Sequence, residues 1–281
     1  MIESEFKHVM AQASLGTKDT IIGDGVLHRF HVEGDSKGQK NGWYILYSDG
    51  VPAGSFGSWK TGETHSWCAK APHDLTPIQC AENKQRIEAA RQAREAEGKV
   101  RQQEARNKAL FIWKAAPAAP NSHPYLSNKE VSSHGLRIHK GLLVIPLRDG
   151  SGALHSLQFI DGDGNKRFLS GGRKAGCYFA IGTPADTLCI AEGYATAASI
   201  YDSTGHAVAV AFDAGNLMQV TQALRTKFPL IEITLCADND VHTDGNPGLT
   251  KAREAAASVG ALLSVPPMAG DFNDFLRSAS E

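Results

Sequence analysis

The sequence of 281 residues lacks several features that define large classes of protein. It has no Gly-x4-Gly-Lys-Ser/Thr loop for phosphate binding, so no helicase motor of that kind is recognisable in it. No apolar run approaches the ~20 residues of a membrane span. Residues 1–5 are acidic and lack the core of a signal peptide. We therefore expect a soluble, cytoplasmic protein.

Cysteine is scarce, and neither sign of charge dominates. The five cysteines are scattered and mostly lie in apolar contexts, which favours reduced, buried thiols over a disulfide framework. A net charge of −1 means that a nucleic-acid partner would need a local basic patch. One possible zinc set has the spacing His-x2-Cys-x4-His-x6-Cys, without paired short knuckles, so we favour a zinc-free sheet there. Its members are His65, Cys68, His73 and Cys80.

Composition and turn signals divide the chain into four predicted segments. Residues 1–75 predict a small β-rich domain that follows a short amphipathic helix. Residues 76–116 are rich in Ala, Gln, Glu, Lys and Arg, and they predict a long, solvated helical linker with a candidate break near Gly98. A contact between its basic face and nucleic acid is the alternative. Residues 117–183 predict a second β-rich region with a strand pair at 141–149 and 152–160. Residues 184–281 alternate helices with predicted strands at 187–191, 207–212, 232–237 and 262–265, which is typical of an α/β fold with a parallel sheet.

Aromatic residues of the first segment allow two interpretations. They pack the core of the small sheet, which we favour, or they stack on the bases of single-stranded nucleic acid. The residues concerned are Trp43, Tyr44, Phe56 and Trp59.

Three carboxylates follow two apolar runs in the last segment. Glu192 comes after the run at 187–191, while Asp238 and Asp240 come after the run at 231–237. Ligands collect at the carboxyl ends of parallel strands. Carboxylates gathered there repel one another unless a cation lies between them, and Mg²⁺ prefers such oxygen ligands. Any one of these residues alone is commonly a helix cap, but together they predict metal-assisted phosphoryl chemistry.

These residues and their surroundings resemble the TOPRIM domain of topoisomerases, bacterial-type primases and some nucleases. The sequences at 191–199, at 237–240 with 245–248, and at 270–275 are most similar to those of primases carried by phages and plasmids. The resemblance implies a TOPRIM Rossmann-like parallel sheet, preceded by a mixed α+β basic subdomain. It also implies a DNA primase, a nucleotidyltransferase that makes short RNA primers on single-stranded DNA for phage- or plasmid-type replication. Its partners would be ribonucleoside triphosphates, Mg²⁺ or Mn²⁺, and a replicative helicase of the primosome.

The same resemblance implies roles for particular residues. The catalytic group comprises Glu192, Asp238, Asp240 and Lys166. The metal ligands are Glu192, Asp238, Asp240 and Asp271, with Asp274 as a further candidate. Four cations within nine residues are candidates for contacting nucleotide or template phosphates, with an ordinary charged hairpin as the alternative: Lys166, Arg167, Arg173 and Lys174. Gly193 would let the backbone approach a phosphate closely. The loop after Asp240 is longer than in many TOPRIM proteins, and we expect its His242 and Asp244 to lengthen the connection rather than to bind metal.

Two other functions remain open. A TOPRIM nuclease would use the same metal to hydrolyse a phosphodiester, and a non-catalytic replication adaptor would use the scaffold to bind nucleic acid. A topoisomerase needs further domains than this length allows. Whether the chain is a fragment of a primase-helicase is also open.

Overall fold

The computed structural model describes residues 2–279, which form two compact units divided between Lys99 and Val100. Within the described residues, no helix combines the length and the apolar character that crossing a membrane would need. The four-segment division of the chain stays a prediction.

The first unit is a four-stranded antiparallel sheet with a helix packed on it. Helix α1 is Ile2–Gln12, and the strands are β1 (His28–Phe30), β2 (Gly42–Tyr47), β3 (Ala53–Ser58) and β4 (Thr64–Cys68), in the spatial order β1-β2-β3-β4. A 3-10 turn, Pro72–Asp74, follows. Strand β4 was not predicted, because its five residues are too polar to read as a strand. Gly57 is required here, since a Cβ would lie 2.2 Å from the Glu63 carbonyl oxygen.

Aromatic packing holds this sheet together. The ring of Phe6 from α1 makes edge contacts with Tyr44 and Phe56, at centroid distances of 6.1 and 5.4 Å. Trp43 is also buried, whereas Trp59 is half-buried. The interpretation of these aromatics as core is confirmed for Trp43, Tyr44 and Phe56.

Helix α2 runs without interruption over Pro77–Ala115, so the predicted break at Gly98 is wrong. One glycine costs about 1 kcal/mol, which neighbouring strong helix formers outweigh. The expectation of a solvated helix is also wrong for its last turns. Ala105, Ala109 and Ile112 are buried against the sheet of the second unit's first half. Such small apolar residues at helical spacing make a narrow stripe that the surrounding charges conceal.

That sheet is antiparallel, in the order β5-β6-β7-β8. It comprises β5 (Arg137–His139), β6 (Leu142–Arg148), β7 (Leu154–Ile160) and β8 (Lys166–Phe168), and the short helix α3 (Pro124–Lys129) precedes it. Sequence patterns predicted the hairpin of β6 and β7, but they did not predict α3 or β5, which span few residues each.

The remaining elements alternate along the chain as predicted. They are β9 (Phe179–Ile181), β10 (Thr187–Ala191), α4 (Tyr194–Thr204), β11 (Ala207–Val210), α5 (Ala214–Lys227), β12 (Glu232–Cys236), α6 (Pro247–Val259), β13 (Leu262–Ser264) and α7 (Phe272–Ser278). Their sheet has the order β13-β12-β10-β11-β9. Strands β10 to β13 are parallel, but β9 pairs antiparallel with β11, so the predicted parallel sheet has an antiparallel edge.

The parallel strands fan outward from β10. The chain goes from β10 to β11 on one side and then to β12 on the other. A crevice forms outside the carboxyl ends of strands where the direction of winding reverses in this way. The fold therefore places a binding crevice beyond the end of β10.

Candidate functional site

Backbone pairing brings three carboxylates to this crevice. Ala191 at the end of β10 lies in register with Cys236 at the end of β12, so Glu192 and Asp238 leave neighbouring strands at the same edge. The backbones of Asn239 and Gly270 exchange two hydrogen bonds of 2.9 and 3.1 Å. That bridge brings the following residue, Asp271, to the same edge.

The crevice is a cleft of about 330 Å³. Glu192, Asp238 and Asp271 line it, and so do the basic residues Lys129, Lys166 and Arg277. Asp240 is exposed and is not among the lining residues. The structure therefore brings together three of the four predicted metal ligands and leaves Asp240 at the margin.

Among the carboxylates that line the cleft, Asp238 has the pKa that departs furthest from its ordinary value. Burial raises its pKa to about 7, and the charges of Glu192, Asp271 and Asp240 add to the shift, in that order. The ammonium group of Lys166 lowers the pKa but does not offset these effects. One carboxylate oxygen, Oδ1, is buried without a hydrogen-bond partner. The protein thus buries this carboxylate but provides neither a hydrogen-bond donor to Oδ1 nor enough positive charge to offset the neighbouring carboxylates.

The pKa of Glu192 shifts in the same direction. Burial raises its pKa, and the neighbouring charges of Asp213 and then Asp240 raise it further. The backbone N–H of Ala214, at the start of α5, donates to the carboxylate and opposes the shift, as does Lys166.

The donor set fits a hard divalent cation. Within residues 2–279, no three His, Cys, Asp or Glu side chains are arranged to hold a metal ion as they stand. The chemistry of the donors nevertheless suits one, because Mg²⁺ is bound through one or two carboxylates together with waters and substrate phosphates. The unpartnered Asp238 Oδ1 and the repulsion between Asp238 and Glu192 are what a cation would relieve.

Lys166 faces the acidic residues from β8. Its Nζ lies 3.9 Å from the position that a Cβ on Gly193 would occupy. Such a Cβ would make only ordinary contacts, so the packing of the chain does not itself require glycine at 193. The adjacent Arg167 lies with its guanidinium over the Phe159 ring, at 5.1 Å, and does not line the cleft.

The other two predicted basic residues lie outside the cleft lining. Lys174 forms an ion pair with Asp213, and Arg173 Nε donates to the Ala175 carbonyl at 3.0 Å. Asp213 was missed by sequence reasoning, although it follows β11 as Glu192 follows β10. The one signal was an acidic residue directly after the predicted strand at 207–212, but the lysine that it pairs with lies 39 residues away in the sequence.

Asp271 and Asp274 have different local roles. Thr196 Oγ1 donates to Asp271 Oδ2 at 2.9 Å, which fixes one oxygen of that carboxylate. Asp274 closes a capping box with Asp271 at the start of α7 and lies 3.4 Å from Lys129 Nζ. Its own contacts are those of a helix cap. His242 and Asp244 are exposed on the long loop and do not line the cleft.

The four candidate zinc ligands of the first unit have other surroundings. His65 stacks on Phe56 at a centroid distance of 5.1 Å, and Cys68 Sγ accepts a hydrogen bond from Asn83. Cys80 is exposed, and His73 lies beside Asp74.

Comparison with known proteins shows what this chain is similar to. Residues 187–281 match the model of the Toprim domain. The chain is 39% identical to a DNA primase TraC of Escherichia coli over 273 residues, which cover 90% of this chain and 25% of that protein. A second DNA primase TraC of the same organism is 33% identical over 299 residues, covering 97% and 20%. The chain thus spans a fifth to a quarter of the length of the curated relatives that it matches.

Among solved structures, the chain is similar to the primase fragment of the bacteriophage T7 primase-helicase protein. That similarity has 17% identity and a TM-score of 0.43, and it covers 59% of this chain and 77% of the other. We therefore rely on the sequence similarity and not on this structural similarity. Residues 187–281 match the Toprim domain, and the chain is similar along most of its own length to DNA primases TraC.

Proposed function

We propose that this chain carries the primer-synthesising activity of a DNA primase. It would join ribonucleotides on a single-stranded DNA template into short RNA primers, as a metal-dependent nucleotidyltransferase. The observation that carries the proposal is the pair of under-compensated carboxylates, Glu192 and Asp238, facing Lys166 across a cleft at the switch point of the sheet. The relationship to DNA primases TraC supports it.

The acidic side of the cleft would hold the metal. Glu192, Asp238 and Asp271 are the proposed inner ligands, and Asp240 would contribute from the margin. Toprim primases are in general metal-dependent, and we propose Mg²⁺ or Mn²⁺ here. When bound, the ion supplies charge neutralisation at phosphate oxygens and a template for in-line displacement. Thr196 keeps Asp271 oriented.

The basic side would receive the phosphates. Lys166 is the proposed principal contact, because its ammonium group lies near Gly193, where α4 begins. The helix start favours an anion, and no side chain caps it. Arg167, Arg173 and Lys174 would act farther along the path of nucleotide or template. The proposed partners are single-stranded DNA, ribonucleoside triphosphates and a replicative helicase.

The decisive experiment is primer synthesis on mixed single-stranded templates, with labelled ribonucleotides and Mg²⁺ or Mn²⁺. Asp238→Asn is the test variant, and Glu254→Gln, on the exposed face of α6, is the matched control. Short RNA made by wild type and control but not by Asp238→Asn supports a primase. Metal-dependent cutting of DNA that needs Asp238 would favour the nuclease. Binding without either activity would favour the adaptor.

A further inference from the structure

We propose that Asp213 and Asn216 are positioning residues, which hold Lys174 and its loop in place beside the acidic cleft. Asp213 is the N-cap of α5, after β11, and Asn216 lies in the first turn of that helix. Lys174 lies in the loop that links β8 with β9. The inference deepens the proposed function and rests on it in one respect, namely that Lys174 serves the nucleotide or template.

Asp213 makes two contacts with different partners. Its Oδ1 accepts the backbone N–H of Asn216 at 3.1 Å and so caps α5. Its Oδ2 pairs with Lys174 Nζ, and the two side chains are 32% and 40% exposed. A cap needs only one acceptor oxygen and no charge. The second oxygen and the negative charge are therefore free to hold the lysine.

Asn216 joins the same two segments through a buried amide. Its side chain is 2% exposed. Nδ2 donates to the carbonyls of Cys177 and Ala211, both at 2.9 Å, and Oδ1 accepts the N–H of Gly176 at 2.8 Å. Two of these three bonds go to the loop that carries Lys174. A buried amide with its polar atoms so matched fixes the relative position of both segments.

The turn is also attached to the catalytic edge. Phe212 has a φ of 76°, which is unusual for a bulky residue, and its N–H donates to the Glu192 carbonyl at 2.8 Å. Its ring meets Phe168 edge-on at 6.1 Å, and Lys174 Nζ lies 5.3 Å from the centre of the Phe168 ring. A continuous chain of contacts therefore runs from Glu192 through the strained turn to Lys174.

One test of this geometry does not depend on any activity. Trypsin cuts after Arg173 and Lys174 when the loop opens. Asp213→Asn keeps the cap but removes the charge, and we expect cleavage there to rise up to about fivefold. Asn216→Ala removes three buried hydrogen bonds and should raise it about tenfold or more. Glu254→Gln, which breaks the exposed Lys251–Glu254 pair on α6, is the control and should leave it unchanged.

A second test separates positioning from a merely structural role. In the primer assay, Asp213→Asn should raise KM for ribonucleotides about fivefold, with a smaller change in kcat. Lys174→Met should have a similar effect, and the double variant should be no worse than Lys174→Met alone. Melting temperatures establish that each variant is folded.

The outcomes are distinguishable. Unchanged cleavage after Arg173 and Lys174 in both Asp213→Asn and Asn216→Ala would overturn the inference, whatever the activity. A fall in kcat at constant KM, or full additivity with Lys174→Met, would overturn it as well. If the wild type makes no primer, the proposed function fails, and the cleavage comparison still decides whether Asp213 and Asn216 hold the loop.

Discussion

Carboxylates of the first unit and those that follow the parallel strands β10 and β12 of the second respond to their surroundings in opposite ways. In the first unit, each carboxylate whose pKa departs clearly from its ordinary value is lowered, chiefly by a hydrogen bond from a neighbouring side chain. These residues are Asp24, Asp35, Glu63 and Glu88. At the strand ends, burial raises the pKa of Glu192 and Asp238 instead.

The difference shows what each group is for. A carboxylate supplied with protein donors serves the fold, because its charge is already satisfied. A buried carboxylate left with like charges around it costs stability, and it persists where something outside the chain satisfies it. The comparison thus separates carboxylates whose charge the fold satisfies from carboxylates whose charge it leaves unsatisfied.

The largest effect should come from Asp238→Asn. We expect primer synthesis to fall by about 10³-fold or more, because the proposed metal ligand and its charge are lost together. In the presence of a chelator, the same variant should melt at a higher temperature than wild type, since the buried, repelled charge is gone. Thermal unfolding with and without Mg²⁺ measures the second effect. If Asp238→Asn melted at a lower temperature than wild type in chelator, the proposed difference between the two groups of carboxylates would be wrong.

The free energy of unfolding should depend on pH through the ionisation of Asp238. The pKa of Asp238 is about 7 in the folded protein against 3.8 as its ordinary value. Below about pH 4 both states are protonated, and Asp238 contributes nothing. As pH rises from 4 to 7, the unfolded state loses the proton first, so stability falls, and the loss is complete above about pH 7.

We expect this loss to be about 2 to 4 kcal/mol without metal. The measurement is the difference in the free energy of unfolding between wild type and Asp238→Asn, followed from pH 4 to 8 in chelator, which cancels other titrating groups. Added Mg²⁺ should flatten the difference. A difference that does not change with pH would mean that Asp238 titrates normally.

A smaller effect tests whether the backbone at this edge is strained as well. Phe212 is buried and adopts a left-handed φ of 76°. Both Phe212→Ala and Phe212→Gly lose the same ring, but only glycine adopts this φ without strain. The glycine variant should therefore be the more stable of the two by about 1 kcal/mol, the reverse of the usual order. Urea unfolding of both variants decides this.

The smallest effect belongs to the first unit. Asp35 accepts hydrogen bonds from Lys60 and Asn41, which lower its pKa. Asp35→Asn should destabilise the chain by less than about 1 kcal/mol, because Lys60 is mostly exposed. The sign is opposite to that expected for Asp238→Asn in chelator, and Mg²⁺ should not alter it. Stabilisation by Asp35→Asn would remove the distinction between the two regions.

Much of the second unit was accessible from its sequence. Strand β10 occupies Thr187–Ala191 as predicted, and the other three parallel strands begin at the predicted residues. Short apolar runs bounded by turns and separated by helical patterns have few other ways to be buried. The antiparallel β9 was not predicted, because the sequence of a three-residue strand does not set its direction. Such a strand pairs with whichever sheet edge is open.

Local patterns failed where burial depends on a distant surface. The stripe of Ala105 and Ala109 on α2 is too weak to predict a packed face, and only the sheet beneath it makes that face the buried one. Asp213 was overlooked for a similar reason. Its partner, Lys174, is 39 residues away, and no sequence pattern near either residue indicates that they pair.

By itself, the sequence determined the order of the elements and the acidic residues that follow the strands, since both are written in local patterns of apolar and polar residues. Tertiary structure alone decided that Glu192, Asp238 and Asp271 share the cleft while Asp240 remains at its margin. Strand order, the register of Ala191 with Cys236 and the bridge to Gly270 set those positions. The pKa of Asp238 has the same origin, because burial and neighbouring charges exist only once distant segments have met.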